Sequence, residues 1–188
     1  MRIEKIGDKE QLKALVKLLK RDGDKSGKKI LAEVDMLFWR GVPVWVGFND
    51  EDPVTINATY FGKKKANSWE PYANGYTAFT RVDQRRRGYA RELNTYIRDL
   101  AIGAGCLRLK ALAGTKLGYH FHCAFGDQFW GLNDRHMLLV DTPLVDPARF
   151  PTGIAPISIR KWAQRTGPLT QEELEVILTE PLHYDKEK

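Results

Sequence analysis

One stretch of the sequence, residues 76–104, restricts the possible folds more than any other part of the chain. An aromatic segment ending at Phe79 leads into a basic turn that contains Gly88, and the turn leads into a segment whose apolar residues recur every three or four positions. This recurrence predicts an amphipathic helix, and the aromatic segment predicts a strand before it. The first N–H groups of a helix lack intrahelical partners, and the helix dipole is positive there. The stretch therefore predicts an anion-binding turn between a strand and a helix.

The turn also carries a motif, Arg85-x-x-Gly88-x-Ala90. It resembles the phosphate-loop signature of the GNAT superfamily of acetyl-CoA-dependent N-acetyltransferases, in which the N–H groups of this loop hold the pyrophosphate of coenzyme A. The sequence departs from the family pattern upstream, where residues 82–84 replace the usual apolar residue and proline and shorten the spacing. The resemblance implies acetyl-CoA as co-substrate. The residues that it places at the coenzyme are Thr80, Arg81, Val82, Arg85, Arg86, Arg87, Gly88, Tyr89 and Ala90, together with Thr115 from a later helix.

The hydrophobic periodicity of the whole chain predicts a mixed fold of strands and helices. The predicted strands are residues 2–6, 42–48, 54–61, 73–80, 106–112, 127–132 and 137–140. The predicted helices are residues 11–20, 28–39, 90–104, 117–125, 157–165 and 170–179. This order is that of the GNAT fold, so we expect an α/β (α+β) domain over 1–142, with a mostly antiparallel central sheet flanked by helices. Residues 143–188 are expected to form a proline-containing, partly helical extension packed on the same domain, which covers the acceptor groove or forms a homodimer contact.

Length and composition restrict the class of protein and the cellular compartment that we expect. The chain has 188 residues, of which 43% are hydrophobic, and this suits one compact domain with its own core. No apolar run is long enough to span a bilayer, and the first ten residues lack the apolar segment of a signal peptide. Two cysteines do not make a disulfide framework. We therefore expect a cytoplasmic protein with no membrane partner.

The candidate general acid lies in the helix predicted over 117–125. Transfer of an acetyl group from a thioester to an amine requires the amine to lose a proton, and the departing thiolate benefits from gaining one. Aligning Phe125-Gly126 with the end of the family's helix pattern places Thr115 at its opening and His122 where the family usually has its acid tyrosine. Tyr119, one helical turn earlier, is the second candidate. A half-buried histidine without a catalytic part is the competing interpretation of His122.

Four carboxylates are candidates for the general base. Glu70 precedes the central strand and is suited to act through a water molecule, although a solvated loop glutamate is the simpler interpretation. Glu33 and Asp35 lie on the second helix, which lines the acceptor groove in the GNAT fold, and Asp83 lies in the basic turn.

No metal site is predicted. The candidate ligands are Cys106, His120, His122 and Cys123. They lack the paired spacings of zinc ligands, and helix neighbours two apart do not share a face. Core packing is the favoured interpretation of this group.

The function predicted from the resemblance is N-acetyl transfer from acetyl-CoA to a primary amine by direct attack in a ternary complex. The acceptor is open among a small amine, a protein amine and a DNA base. The net charge of +6 favours a polyanionic ligand. It keeps open, beside the enzyme, a phage-type protein that modifies or binds nucleic acid, using the arginines and Lys63-Lys64-Lys65. The replaced proline, the shortened spacing before the turn and the histidine in place of the family's tyrosine keep open a non-catalytic module that only binds coenzyme A.

Overall fold

The computed structural model describes residues 1–20, 25–61, 72–146, 165 and 167–185, with the backbone alone at residues 25 and 26. Over these residues the strands are β1 (Arg2–Lys5), β2 (Val44–Asn49), β3 (Asp52–Phe61), β4 (Tyr72–Thr80), β5 (Arg108–Ala113), β6 (Phe129–Leu132) and β7 (Leu138–Pro143). The helices are α1 (Lys9–Leu19), α2 (Lys25–Trp39), α3 (Tyr89–Gly103), α4 (Lys116–Cys123) and α5 (Gln171–Ile177). The predicted fold class is confirmed: the described residues form a mixed α/β fold with a mostly antiparallel sheet of seven strands flanked by helices.

The chain divides into two compact units. The first comprises Met1–Tyr60 and Gly75–Gly103, and the second comprises Phe61–Asn74 and Ala104–Lys188. The first unit carries the predicted anion-binding turn, and the second carries the helix with His122. The predicted division into a domain over 1–142 and an extension over 143–188 stays a prediction.

The core of the first unit is built from α1, α2 and the hairpin of β2 and β3. Helix α1 begins where Asp8 accepts a hydrogen bond from the N–H of Gln11 at 2.8 Å, which satisfies one free donor of the first turn. The hairpin is antiparallel as predicted, with Val44 opposite Ala58. Buried apolar side chains from the helices and the hairpin fill this core: Leu12, Leu15, Val16, Leu19, Leu31, Val34, Leu37, Val44, Val46, Ile56 and Ala58. Each of the larger ones stabilises the fold by about 1.5–3 kcal/mol through its burial.

In the second unit β5, β7 and β6 lie side by side in that order, and both pairs are antiparallel. The hairpin predicted over 127–140 is β6 and β7. The Asn133 side chain shapes its turn by accepting hydrogen bonds from the N–H groups of Arg135 and Met137, at 3.0 and 2.9 Å. The apolar cluster that joins this sheet to α4 and α5 contains Ala113, Tyr119, Phe129, Leu138, Val140, Leu174 and Leu182. This packing fixes the helix that carries His122.

Helix boundaries differ from the predicted ones by a few residues. Helix α2 begins at Lys25, three residues before its predicted start. Helix α5 confirms most of the helix predicted over 170–179, and it begins with a capping box in which Thr170 and Glu173 exchange hydrogen bonds. The helix predicted over 157–165 lies outside the described residues, except for residue 165. None of the helices described above is long and apolar enough to cross a bilayer.

Candidate functional site

The turn between β4 and α3 has the backbone shape of an anion-binding loop. After a 3-10 turn over Val82–Gln84, Arg86 and Gly88 adopt left-handed conformations with φ of 64° and 88°. Residues of opposite backbone hand that follow one another direct their N–H groups to one side and form a concave nest for an anion. This conformation suits glycine and is uncommon for arginine. The left-handed backbone at Arg86 is therefore a strained conformation that the rest of the fold maintains.

The turn ends at the N-terminus of α3. The first hydrogen bond of the helix runs from the N–H of Glu92 to the carbonyl of Gly88 at 3.0 Å, so the N–H groups of residues 89–91 have no intrahelical acceptor. A methyl group added at Gly88 would meet no atom within 4 Å, so the space in front of the main chain is open. Free N–H groups, the positive end of the dipole and open space coincide here, and together they suit a phosphate.

Two arginines of the basic run brace the turn. Arg81 is 5% exposed; its guanidinium donates to both carboxylate oxygens of Asp83 at 2.7 and 2.9 Å and pairs with Asp52 at 2.7 Å. Hydrogen bonding to Asp83, reinforced by Asp52, raises the pKa of Arg81 above its ordinary value, so the residue stays charged at any accessible pH. Arg85 donates from Nε to the carbonyl of Thr80 at 3.1 Å. Both side chains therefore tie the turn to the ends of β3 and β4.

The other predicted coenzyme contacts of the first unit differ in exposure. Val82, Arg86, Arg87 and Gly88 face solvent, whereas Thr80, Tyr89 and Ala90 are half-buried. The hydroxyl of Thr80 bonds with that of Thr55 at 2.9 Å. Within the part of the chain that the structure describes, Arg86 and Arg87 make no hydrogen bond or ion pair through their side chains. These two cations are thus available to an external anion.

The N-terminus of α4, in the second unit, is capped by the chain itself. The Thr115 hydroxyl accepts a hydrogen bond from the N–H of Gly118 at 2.9 Å. The carboxylate of Asp185 accepts from the N–H of Lys116 at 2.7 Å. Two of the donors that open this helix are therefore satisfied, one of them by a negative charge. Thr115 is placed as a helix cap, and its predicted contact with the coenzyme stays a prediction.

The C-terminus of α4 brings a histidine and an aspartate together. The N–H of Asp127 bonds to the carbonyl of His122 at 3.2 Å, and the N–H of Gly126 bonds to the carbonyl of Cys123 at 2.9 Å. With Gly126 left-handed at φ 68°, these bonds form a Schellman motif, which often places two apolar side chains in contact. Here the contact is polar instead: Nδ1 of His122 lies 2.6 Å from a carboxylate oxygen of Asp127.

Sequence reasoning singled out His122 and missed its partner. The Asp127 side chain is 0% exposed and that of His122 is 11% exposed, so the carboxylate is shielded from water while the imidazole keeps a small exposed surface. The signal for Asp127 is present in the sequence as a histidine and an aspartate five residues apart, with Gly126 between them at a helix end. The Schellman geometry brings side chains at that spacing into contact.

Tyr119, the second predicted acid, faces the apolar core of its unit. It is 7% exposed, and its ring centroid lies 5.1 Å from that of Phe129. A hydrogen bond with Cys123, together with burial, raises the pKa of the Tyr119 phenol above its ordinary value. The phenol therefore keeps its proton throughout the neutral range.

The candidate bases are dispersed. Glu70 lies outside the described residues, so its assignment stays a prediction. Glu33 and Asp35 are half-buried on α2, and one oxygen of Asp35 is buried without a hydrogen-bond partner among the residues that the structure describes. Asp83 is engaged by Arg81. No carboxylate is distinguished from the others by these positions.

The protein is similar to known proteins in its structure. No family model and no curated protein sequence matches the chain. The fold is similar to that of an acetyltransferase assigned to the GNAT family from Desulfovibrio desulfuricans, with a TM-score of 0.61 and 11% identity over 77% of this chain and 99% of the other. It is similar to an aminoglycoside 6'-N-acetyltransferase complexed with coenzyme A, with a TM-score of 0.59 and 11% identity over 78% of this chain and 98% of the other.

A third similar structure is the PaiA N-acetyltransferase from Thermoplasma acidophilum in complex with coenzyme A. Its TM-score is 0.59, with 10% identity over 76% of this chain and 99% of the other. At identities this low, the similarity concerns the fold. The chain therefore has the fold of the GNAT acetyltransferases, as its sequence predicted.

Proposed function

We propose that the protein is an acetyl-CoA-dependent N-acetyltransferase in which a primary amine attacks the thioester directly, within a ternary complex. The observation that carries this proposal is the turn over residues 84–90, with its open space at Gly88 and its free N–H groups at the start of α3. Similarity in fold to two N-acetyltransferases solved with coenzyme A supports it. Acceptors within this proposal are a small amine, a protein amine or a nucleic-acid base.

The main chain would bind the phosphates. Two arginines would contact the phosphates as well, and two others would stabilise the turn. The N–H groups of residues 89–91 would donate to the pyrophosphate of coenzyme A. Arg86 and Arg87 are exposed and would pair with phosphate oxygens, for which the planar guanidinium is well suited. Arg81 and Arg85 would act indirectly by keeping the turn in shape, because their guanidinium groups already donate hydrogen bonds within the unit.

Acetyl transfer moves one acyl group and one proton. The amine nitrogen bonds to the thioester carbon, the carbon–sulfur bond breaks, and a proton passes from nitrogen to the departing sulfur. His122 is our candidate for handling this proton, because imidazole is the side chain that ordinarily titrates closest to neutral pH. Tyr119 is the second candidate for the acid, and Glu70 is the candidate base that acts through water.

Calorimetric titration with acetyl-CoA tests the proposal. The wild type should bind, and Gly88→Ala should bind at least about tenfold more weakly, because its added methyl group would occupy the open space in front of the main chain where the phosphate would lie; a tenfold loss corresponds to about 1.4 kcal/mol. Gly105→Ala is the matched control. Gly105 is also left-handed, at φ 82°, and a methyl group there would likewise meet no atom within 4 Å. Both substitutions strain the backbone by about 1–2 kcal/mol, so a difference in affinity between them reports on the turn itself.

Three results would redirect the interpretation. Equal affinities of the two variants would remove the turn from the coenzyme site. A folded wild type without affinity for acetyl-CoA would contradict the proposal, and salt-sensitive binding of nucleic acid would then favour a nucleic-acid protein. Coenzyme A binding without turnover on any amine would favour a non-catalytic binding module.

A further inference from the structure

The buried pair at the end of α4 carries an inference about how the proton is handled. We infer that Asp127 is a positioning residue that holds His122 in the tautomer with its proton on Nδ1, which leaves Nε2 to carry the proton during acetyl transfer. This inference rests on the proposed N-acetyltransferase activity and concerns a residue that the family motif did not indicate.

The hydrogen-bond geometry determines which nitrogen is protonated. Nδ1 of His122 and a carboxylate oxygen of Asp127 are 2.6 Å apart, so a proton must lie between them. An ionised carboxylate can only accept, so Nδ1 is the donor. A neutral imidazole has one N–H, and its Nε2 is then the acceptor. When Nε2 takes up a proton, the same carboxylate faces the new positive charge at short distance and stabilises it.

The surroundings of the ring restrict it to this arrangement. The rings of Phe121 and Phe129 flank the imidazole edge to face, with centroids 5.5 and 6.4 Å away. In the described part of the chain, no hydrogen-bond partner faces Nε2 of His122. The side chain keeps 11% of its surface exposed while that of Asp127 keeps none. One nitrogen is therefore fixed by the protein, and the other remains for an outside group.

The backbone couples the two residues as well. Asp127 donates its N–H to the carbonyl of His122 at 3.2 Å, so the carboxylate is placed by the helix end and not by a flexible loop. A ring held at Nδ1 by a buried carboxylate is the arrangement by which an aspartate orients a catalytic histidine in other enzymes.

The proposed step balances with His122 as the group that takes up and releases the proton. The acceptor nitrogen forms its bond to the thioester carbon, and its surplus proton passes to Nε2 of His122. The carbon–sulfur bond breaks, and the proton passes from Nε2 to the thiolate of coenzyme A. The imidazole ends neutral, with Nδ1 still bonded to Asp127. No further oxidant, reductant or co-reactant is required.

The test compares Asp127→Asn with the wild type in two measurements. Imidazole nitrogen–proton NMR correlations report the tautomer without any ligand, and the signals of His122 are those absent from His122→Gln. We expect the Nδ1–H tautomer in the wild type and its loss or mixing in Asp127→Asn. With acetyl-CoA and an accepted amine, kcat of Asp127→Asn should fall by about 10²-fold or more, while calorimetric affinity for acetyl-CoA stays within about twofold of the wild type.

Asp134→Asn is the matched control, because Asp134 is an exposed carboxylate in the turn between β6 and β7. In this variant the tautomer of His122 and the value of kcat should equal those of the wild type. An Nε2–H tautomer in the wild type, or an unchanged kcat in Asp127→Asn, would overturn the inference while leaving the proposed function intact. A wild type that binds no acetyl-CoA would overturn both. If Asp127→Asn fails to fold, the wild-type tautomer decides.

Discussion

Removing one member of the buried ion pair in the second unit should destabilise the protein far more than removing both. Arg108 on β5 donates from Nε to Asp141 on β7 at 2.7 Å, and the two residues are 5% and 0% exposed. The other carboxylate oxygen of Asp141 is buried and has no hydrogen-bond partner among the described residues. Asp141 therefore depends on Arg108 to compensate its charge.

The magnitude follows from the distance and the burial. At 2.7 Å, two unit charges attract by about 6 kcal/mol at an effective dielectric constant of about 20. Desolvation of each ion costs several kcal/mol, so the pair as a whole contributes little. Arg108→Leu removes the attraction and leaves Asp141 desolvated. We expect its free energy of unfolding to fall by about 3–5 kcal/mol and its Tm by roughly 6–20 °C. The double variant Arg108→Leu/Asp141→Leu should lie within about 1 kcal/mol of the wild type.

Urea unfolding followed by circular dichroism measures these differences, with both single variants and the double variant completing a cycle. Arg135→Leu, in the exposed turn before β7, is the control and should change stability by no more than about 0.5 kcal/mol. An Arg108→Leu variant that is as stable as the wild type would refute the reasoning, because Asp141 would then carry no uncompensated charge. A double variant no more stable than Arg108→Leu would refute it equally.

Two further predictions concern the turn and the C-terminal helix. Arg81→Lys keeps the charge but loses the bidentate contact with Asp83. The free energy of unfolding should therefore fall by about 1–3 kcal/mol, and calorimetric titration should show weaker acetyl-CoA binding. If both values are unchanged, the contact with Asp83 does not stabilise the turn. Hydrogen bonds from Arg165 lower the pKa of Glu173 from its ordinary 4.5, so its contribution to stability is present above that pH and is lost as the pH falls through the lower folded value. Glu173→Gln should therefore flatten the acid limb of stability against pH, whereas Thr170→Ala should cost about 0.5–2 kcal/mol and keep that limb.

Local patterns made most of the fold predictable. The apolar repeat after Gly88 predicts a helix over 90–104, and α3 spans Tyr89–Gly103. The hairpins were readable because their strands are short apolar runs and their turns carry Asp50 and Asn133, residues that accept tight backbone geometry. These features were predictable because propensity and periodicity depend on residues that are close together in sequence.

The roles of individual arginines in the turn were not predictable in the same way. A run of arginines indicates positive charge, but it does not tell which side chains turn inward. Arg81 donates to Asp83, two residues away, but it also pairs at 2.7 Å with Asp52, which lies at the start of β3 and far away in sequence. That contact exists only once the sheet has formed. Asp127 is the opposite case, because its partner is five residues away and the helix end that joins them is written in the sequence.

The short separation in sequence between His122 and Asp127 affects how well their contact tolerates sequence change elsewhere in the chain. A contact between residues five apart closes a very small loop and needs no distant strand to be in place, so it belongs to the fastest-forming class of native contacts. The geometry of the contact is set by the Schellman motif at the C-terminus of α4. Substitutions elsewhere in the chain can therefore accumulate without separating the two groups, provided that position 126 still accepts a left-handed backbone. The same few residues could be transplanted onto the end of another helix as a unit.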